Sequence, residues 1–248
     1  MLRETRQLMG MPITVEVVDA AVTQKDIDDV YAYFTHVDEV FSTYKDTSEI
    51  SRINRDEIAP EAYSSEIQEV FRLSEETKNL TNGYFNIQKP DGSIDPSGLV
   101  KGWAIWNAAK LLEQKGFKDF YVDAGGDVQV EGKNATGESW RVGIKNPFNE
   151  KEIVKALSVS DKGVATSGTY IRGQHIYDPN TGAPANEIVS LTVIGPNIYE
   201  ADRFATAAFA MGKKGVEFIE QLEGFEGYSI DATGTATLTS HFEDFVLR

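Results

Sequence analysis

Apolar residues recur at helical spacing over Gln24–Phe41, at Ile27, Val30, Tyr31, Phe34, Val37, Val40 and Phe41, behind the polar opening "TQKD". The same kind of stripe predicts a second helix over residues 64–81, opened by "SSEIQE" and stopped at Asn82-Gly83. A third helix is predicted over 99–116, with Gly116 as its C′ residue. "MPITVEVVDA" alternates β-branched residues and reads as a strand. Between the first two helices, "FSTYKDTSEISRIN" reads as a polar connection carrying an aromatic. "NIQKPDGSIDPSG" is a turn-rich loop.

Strand patterns dominate the second half: "DFYVDAGG", "VQVEG", "WRVGIKNP", "VKALSVS", "GVATSG" and "SLTVIGP". A small-residue helix over 201–211, a further helix over 214–223 and a closing hairpin of "GYSIDA" with "TATLTS" follow. Because strands follow strands, the expected fold is a single α+β domain over residues 1–248, with a mostly antiparallel sheet and packed helices.

Composition narrows the chemistry. The net charge is −15, so a phosphate backbone or an anionic membrane surface is not an expected partner, while one local cluster of donors still suits an anionic small ligand. No cysteine occurs, which excludes a thiolate nucleophile, a Cys-ligated zinc and disulfides. Any metal must sit on oxygen or histidine, and oxygen ligands favour a hard cation such as Mg²⁺. "MLRETRQLMG" has no apolar run and reads as neither a signal peptide nor a membrane span. The expected compartment is cytoplasmic, or extracytoplasmic if a signal or anchor has been removed from a precursor.

Several residues admit both a plain and a chemical reading. "DAGGD", residues 123–127, is a tight turn or a place where backbone approaches a ligand. Lys101 opens a helix as a solvated charge, or acts with Asp95, Gly98 and Gly102 around it. Thr166-Ser167-Gly168 ends a strand and offers hydroxyl and amide donors of the kind that hold phosphate. Asp202 and Thr206 stand four apart on a helix; the aspartate either answers the helix dipole or shares a hard cation with the threonine. His175 in "GQHIYDPNTG" is one of three histidines, none spaced for a two-imidazole metal site, and proton transfer stays open to it. There is no G-x-S-x-G elbow, G-x-G-x-x-G loop or Walker A loop.

The order of the blocks is more specific than any one of them. "MGMPITV", "FSTYKDTSEISRIN", "NGYFNI", "DPSGLVKGWAIWNA", "VDAGGDV", "WRVGIKNP", "VATSGTY", "HIYDPNTG" and "EADRFATA" resemble, in this order, the ApbE family of flavin transferases. The resemblance implies an ApbE-like, T-fold-like α+β domain that cleaves FAD at its pyrophosphate with Mg²⁺. The FMN half passes to a Thr or Ser hydroxyl of an acceptor flavoprotein, and AMP is released. By position, it implies FAD contacts at Met9, Tyr44, Tyr84, Phe85, Asn86, Asp95, Lys101, Thr166 and Ile176. It implies metal ligation at Gly98, Asp202 and Thr206, and a general base at His175. Two departures stand out: Asn86 occupies a position where many relatives have Asp, and only "IQKPDGSI" separates it from Asp95. The rival readings are an FAD pyrophosphatase and a non-catalytic FAD-binding module.

Overall fold

The computed structural model describes residues 1–89, 91–169, 177, 179 and 182–247. Its strands are β1 (Leu2–Leu8), β2 (Met11–Val17), β3 (Phe120–Ala124), β4 (Asp127–Glu131), β5 (Trp140–Asn146), β6 (Asn149–Val159), β7 (Lys162–Gly168), β8 (Ile188–Gly195), β9 (Glu226–Asp231) and β10 (Ala236–Leu238). Its α-helices are α1 (Gln24–Phe41), α2 (Glu49–Asn54), α3 (Ser65–Leu80), α4 (Ser97–Gln114), α5 (Ile198–Ala210) and α6 (Gly215–Glu220).

Eight strands form one antiparallel sheet in the order β1-β2-β3-β4-β7-β8-β9-β10, and β5 and β6 pair separately as a hairpin. The large antiparallel sheet with packed helices is the α+β arrangement expected. One core joins the sheet to α1, α4 and α5; a second, built on Val128, Val130, Val142, Leu157 and Phe242, lies under the hairpin. With both faces covered, β4 can alternate Val128 and Val130 towards the hairpin with Asp127, Gln129 and Glu131 towards the helices. Gln129 is fully buried, and its Oε1 accepts the N–H of Ile198 at 2.8 Å, satisfying a first-turn donor of α5.

Every apolar residue of the first stripe is buried on α1, whose bounds coincide with the stripe. Its N-terminus is held by Thr23 and Asp26, the Thr23 N–H donating to Asp26 Oδ2 at 2.9 Å. α4 ends in a Schellman closure: Gly116 takes φ +91°, its N–H reaches Glu113 O at 2.8 Å, and Phe117 N reaches Leu112 O at 3.2 Å. At the end of α3, Asn82 and Gly83 both take positive φ, as a helix stop requires.

The structure departs from the pattern in five places, one being β6, which begins at Asn149, five residues before the strand expected from "VKALSVS". β1 is an additional edge strand that the charged "LRETRQL" concealed. α2 occupies part of the expected connection, capped by Ser48 Oγ accepting from Ser51 N at 3.2 Å. α6 is shorter than the helix expected over 214–223. α5 begins three residues early, because Asn197 caps it by accepting from Glu200 N at 3.0 Å. Asp202 therefore lies beyond the first turn, and the helix-dipole reading of it loses its force.

Candidate active site

Four of the candidate residues, Gly98, Lys101, Asp202 and Thr206, meet where α4 crosses α5 above the start of β4. Glycine allows this crossing. A Cβ on Gly102 would stand 2.5 Å from Asp202 Cβ and 2.8 Å from the Ile198 carbonyl, so only hydrogen fits there. The N–H of Gly102, whose helical acceptor would be the Gly98 carbonyl, donates to Asp202 Oδ2 at 2.7 Å. The Gly98 carbonyl in turn accepts from Thr206 Oγ1 at 3.2 Å. Phe85, buried, closes this side: a Cβ on Gly98 would meet its ring edge at 3.4 Å.

Asp202 is almost wholly buried. Burial, and after it the neighbouring Asp127, holds its carboxyl above the ordinary aspartate range, against the pull of Lys101. Lys101 Nζ lies 3.9 Å from Asp202 Oδ1 and makes its closer ion pair with Asp127 Oδ2. Asp127 Oδ1 accepts the amide of Thr166 at 3.0 Å, and the Thr166 hydroxyl pairs with that of Thr192 at 2.8 Å. The Thr166 amide is therefore engaged by protein, and of its expected donors the hydroxyl is the one that can turn to a ligand.

Asp95 sits just ahead of α4 and binds Lys89 at 2.8 Å and the Ser97 amide at 3.1 Å. Burial works to raise its carboxyl, but these hydrogen bonds outweigh it and the group lies below its usual range. Tyr44 is 96% exposed, in the neighbourhood of Lys89. Met9 forms the β1–β2 turn at φ +52°. Tyr84 lines a small cavity of about 200 Å³ with Met211, Lys214 and Phe218. Asn86 accepts from Gln88 N at 3.0 Å, using its side chain to build its own turn. Among the described residues, no hydrogen bond or ion pair joins Met9, Tyr44, Tyr84 or Asn86 to the α4–α5 cluster. His175 and Ile176 lie outside the described residues.

The donor set suits a hard cation. Two ligand oxygens on adjacent corners of a Mg²⁺ octahedron lie about 3 Å apart, close to the 3.2 Å between Thr206 Oγ1 and the Gly98 carbonyl. Two buried carboxylates, Asp127 and Asp202, face one ammonium, an imbalance that a cation would correct. Among the described residues, no three acidic or histidine side chains converge as a cage, so waters would complete the coordination.

Comparison with known proteins decides the family. The ApbE family model matches residues 9–89 and 87–229. The chain belongs to the ApbE family. The FAD:protein FMN transferase of Salmonella typhimurium is 34% identical over 164 residues, covering 61% of this chain and 47% of that protein. The one from Chlamydia muridarum is 28% identical over 244 residues, covering 74% of each. The chain thus spans about half the length of the Salmonella relative. Among solved structures, the flavin transferase ApbE from Vibrio cholerae superposes with a TM-score of 0.86 at 23% identity, covering 98% of both chains. The ApbE protein of Thermotoga maritima gives 0.86 at 20% identity, over 100% of this chain and 99% of that one. At these identities the structures establish the ApbE fold.

Pattern reasoning gave Asp127 only as the end of a turn and Gly102 only as a neighbour of Lys101, with no side-chain or packing role for either. The usable signals were a polar i, i+2, i+4 series, Asp127, Gln129 and Glu131, on a covered strand, and two glycines four apart inside a helix.

Proposed function

We propose that this ApbE-family chain is an FAD:protein FMN transferase that uses Mg²⁺. The observation that carries the reading is the Gly98 carbonyl, Asp202 carboxylate and Thr206 hydroxyl converging beside the Lys101 ammonium. Relatives named FAD:protein FMN transferase support it from outside. In the reaction, a Thr or Ser oxygen of the acceptor forms a bond to the FMN phosphorus. The bond from that phosphorus to the bridging oxygen breaks, and AMP leaves with the electron pair. The hydroxyl proton passes to a base, for which His175 is the proposed group.

Gly98, Asp202 and Thr206 would hold Mg²⁺, which when bound neutralises charge developing on the phosphate oxygens. Lys101 adds a fixed positive charge on the same side. Asp95 and Lys89 form a charged rim near exposed Tyr44, whose ring is free to stack on a flavin. Phe85 keeps water from the back of the cluster.

The test is product analysis with FAD, Mg²⁺ and an acceptor flavoprotein domain bearing a Thr. Transfer predicts flavin fluorescence on the denatured acceptor and one AMP per flavin attached. AMP with free FMN, unaffected by acceptor, would make the chain a pyrophosphatase. Retention of intact FAD with no AMP would make it a binding module.

A further inference from the structure

The proposed metal ligand Asp202 has a competitor inside the protein, the Lys101 ammonium 3.9 Å away. At 3.9 Å the two form a loose ion pair at the outer limit of such contacts, and they would close to hydrogen-bond distance unless something else holds the ammonium. Among the described residues, Asp127 supplies such a restraint. It is 1% exposed, at the start of β4, and it binds two elements at once: Oδ2 pairs with Lys101 Nζ on α4, and Oδ1 accepts the Thr166 amide on β7. The Thr166 bond fixes the orientation of the carboxylate, since a backbone amide in a sheet cannot turn away. Asp127 itself starts β4, and Val128 beside it pairs with Val164 of β7.

We infer that Asp127 is a positioning residue that holds Lys101 off Asp202, keeping Asp202 available to a divalent cation. The inference rests on the proposed metal role of Asp202. Lys101 then serves as a second, separate positive charge: its side chain is 22% exposed and reachable by a substrate. Asp127 turns one oxygen to the Thr166 amide and the other to the Lys101 ammonium, and the inference gives it no ligand role. When it is neutralised, Asp202 becomes the nearest carboxylate to Lys101 among the described residues, and the cation must displace an ammonium before it binds.

Two measurements test this without FAD or an acceptor, so a failure of the transferase reading leaves them intact and is seen separately. In calorimetric titration with Mg²⁺, Asp127→Asn is expected to bind about ten-fold or more weakly than wild type, because breaking one side of a buried pair redirects the other. Asp127→Glu, which keeps the charge, is expected to recover most of that loss. Unchanged Mg²⁺ affinity in a folded Asp127→Asn overturns the inference. The second measurement uses the wild-type chain, so it stands if that variant fails to fold: a crystal soaked in Mn²⁺ is located by anomalous scattering. The expected ion lies against Asp202 with Lys101 still on Asp127; an ion ligated by Asp127 overturns the inference.

Discussion

Replacing Gly102 with alanine is the most severe small change the site can suffer. The added methyl would sit 2.5 Å from Asp202 Cβ, 2.8 Å from the Ile198 carbonyl oxygen and 3.0 Å from Asp202 Oδ2. Carbon atoms in ordinary contact stand about 3.5–4.0 Å apart, so α4 and α5 must separate by about 1 Å. Two of the three obstacles are main chain or directly attached to it, and neither can swing aside. Overpacking of this kind costs about 1–3 kcal/mol, sometimes more. Alanine recovers up to about 1 kcal/mol over glycine in a helix interior. With neither obstacle able to yield, the upper end of that range applies, and the net expectation is a loss of about 2 kcal/mol, or about 4–8 °C in melting temperature for a chain of this size. The separation also stretches the 2.7 Å bond from Gly102 N to Asp202 Oδ2, so Mg²⁺ binding and FMN transfer should fall further than stability does. Scanning calorimetry and Mg²⁺ titration on the same preparation read both effects. Gly98→Ala is the internal comparison: its methyl meets side-chain tips, Thr206 Cγ2 at 3.0 Å and Phe85 Cε2 at 3.4 Å, which can yield. A Gly102→Ala chain that melts at or above wild type with unchanged Mg²⁺ affinity would refute the packing argument.

Thr206→Val keeps shape and removes the hydroxyl, so thermal stability should change by about 1 kcal/mol at most while Mg²⁺-dependent turnover falls about ten-fold or more; Thr206→Ser should restore turnover, and a Val variant with wild-type kinetics removes Thr206 from the ligand set. Glu131 gives a pH dependence. Burial first, and then Asp161 beside it, push its carboxyl from the ordinary 4.5 up to about 7. Between those values the folded chain holds a proton that the unfolded chain releases, so this group's contribution to stability declines as pH rises through that window. Glu131→Gln should therefore gain melting temperature over wild type at pH 8 and lose most of that advantage by pH 5; parallel melting curves across the range would contradict the assignment. Phe34→Ala, at a fully buried position on α1, should lower unfolding free energy by about 3–5 kcal/mol with an unchanged denaturant slope, and a shift below 1 kcal/mol would mean the α1 core repacks.

Where burial is periodic and long, the sequence was legible: α1 carries its apolar stripe to both ends, and the glycines after α3 and α4 mark real stops. β1 was hidden because it is an edge strand. Arg3 pairs with Glu16, and Arg6 with Glu4 and Asp28, so charges occupy positions where a central strand would be apolar. α2 has six residues, too few for a period to show, and leans on the Ser48 cap and on buried Ile50 and Ile53. At the site, Gly98, Lys101, Asp202 and Thr206 were reached through the ordered motifs, and the structure brings those four together. Asp127 was not, because its partners lie 26 residues before it and 39 after it, on α4 and β7. A turn-rich "DAGGD" says nothing of a strand that will be covered on both faces.

The bonds that unite α4 with α5 span 100 residues from Gly102 to Asp202 and 108 from Gly98 to Thr206. A cation seated between them would act as a reversible cross-link, closing a loop that holds β3 to β8. Loop closure of that length is entropically costly for an unfolded chain, so the binding free energy of the ion would appear directly as resistance to global unfolding. A protease that samples open states should then cut the metal-loaded chain more slowly throughout that enclosed segment, including at sites on the β5–β6 hairpin remote from any ligand.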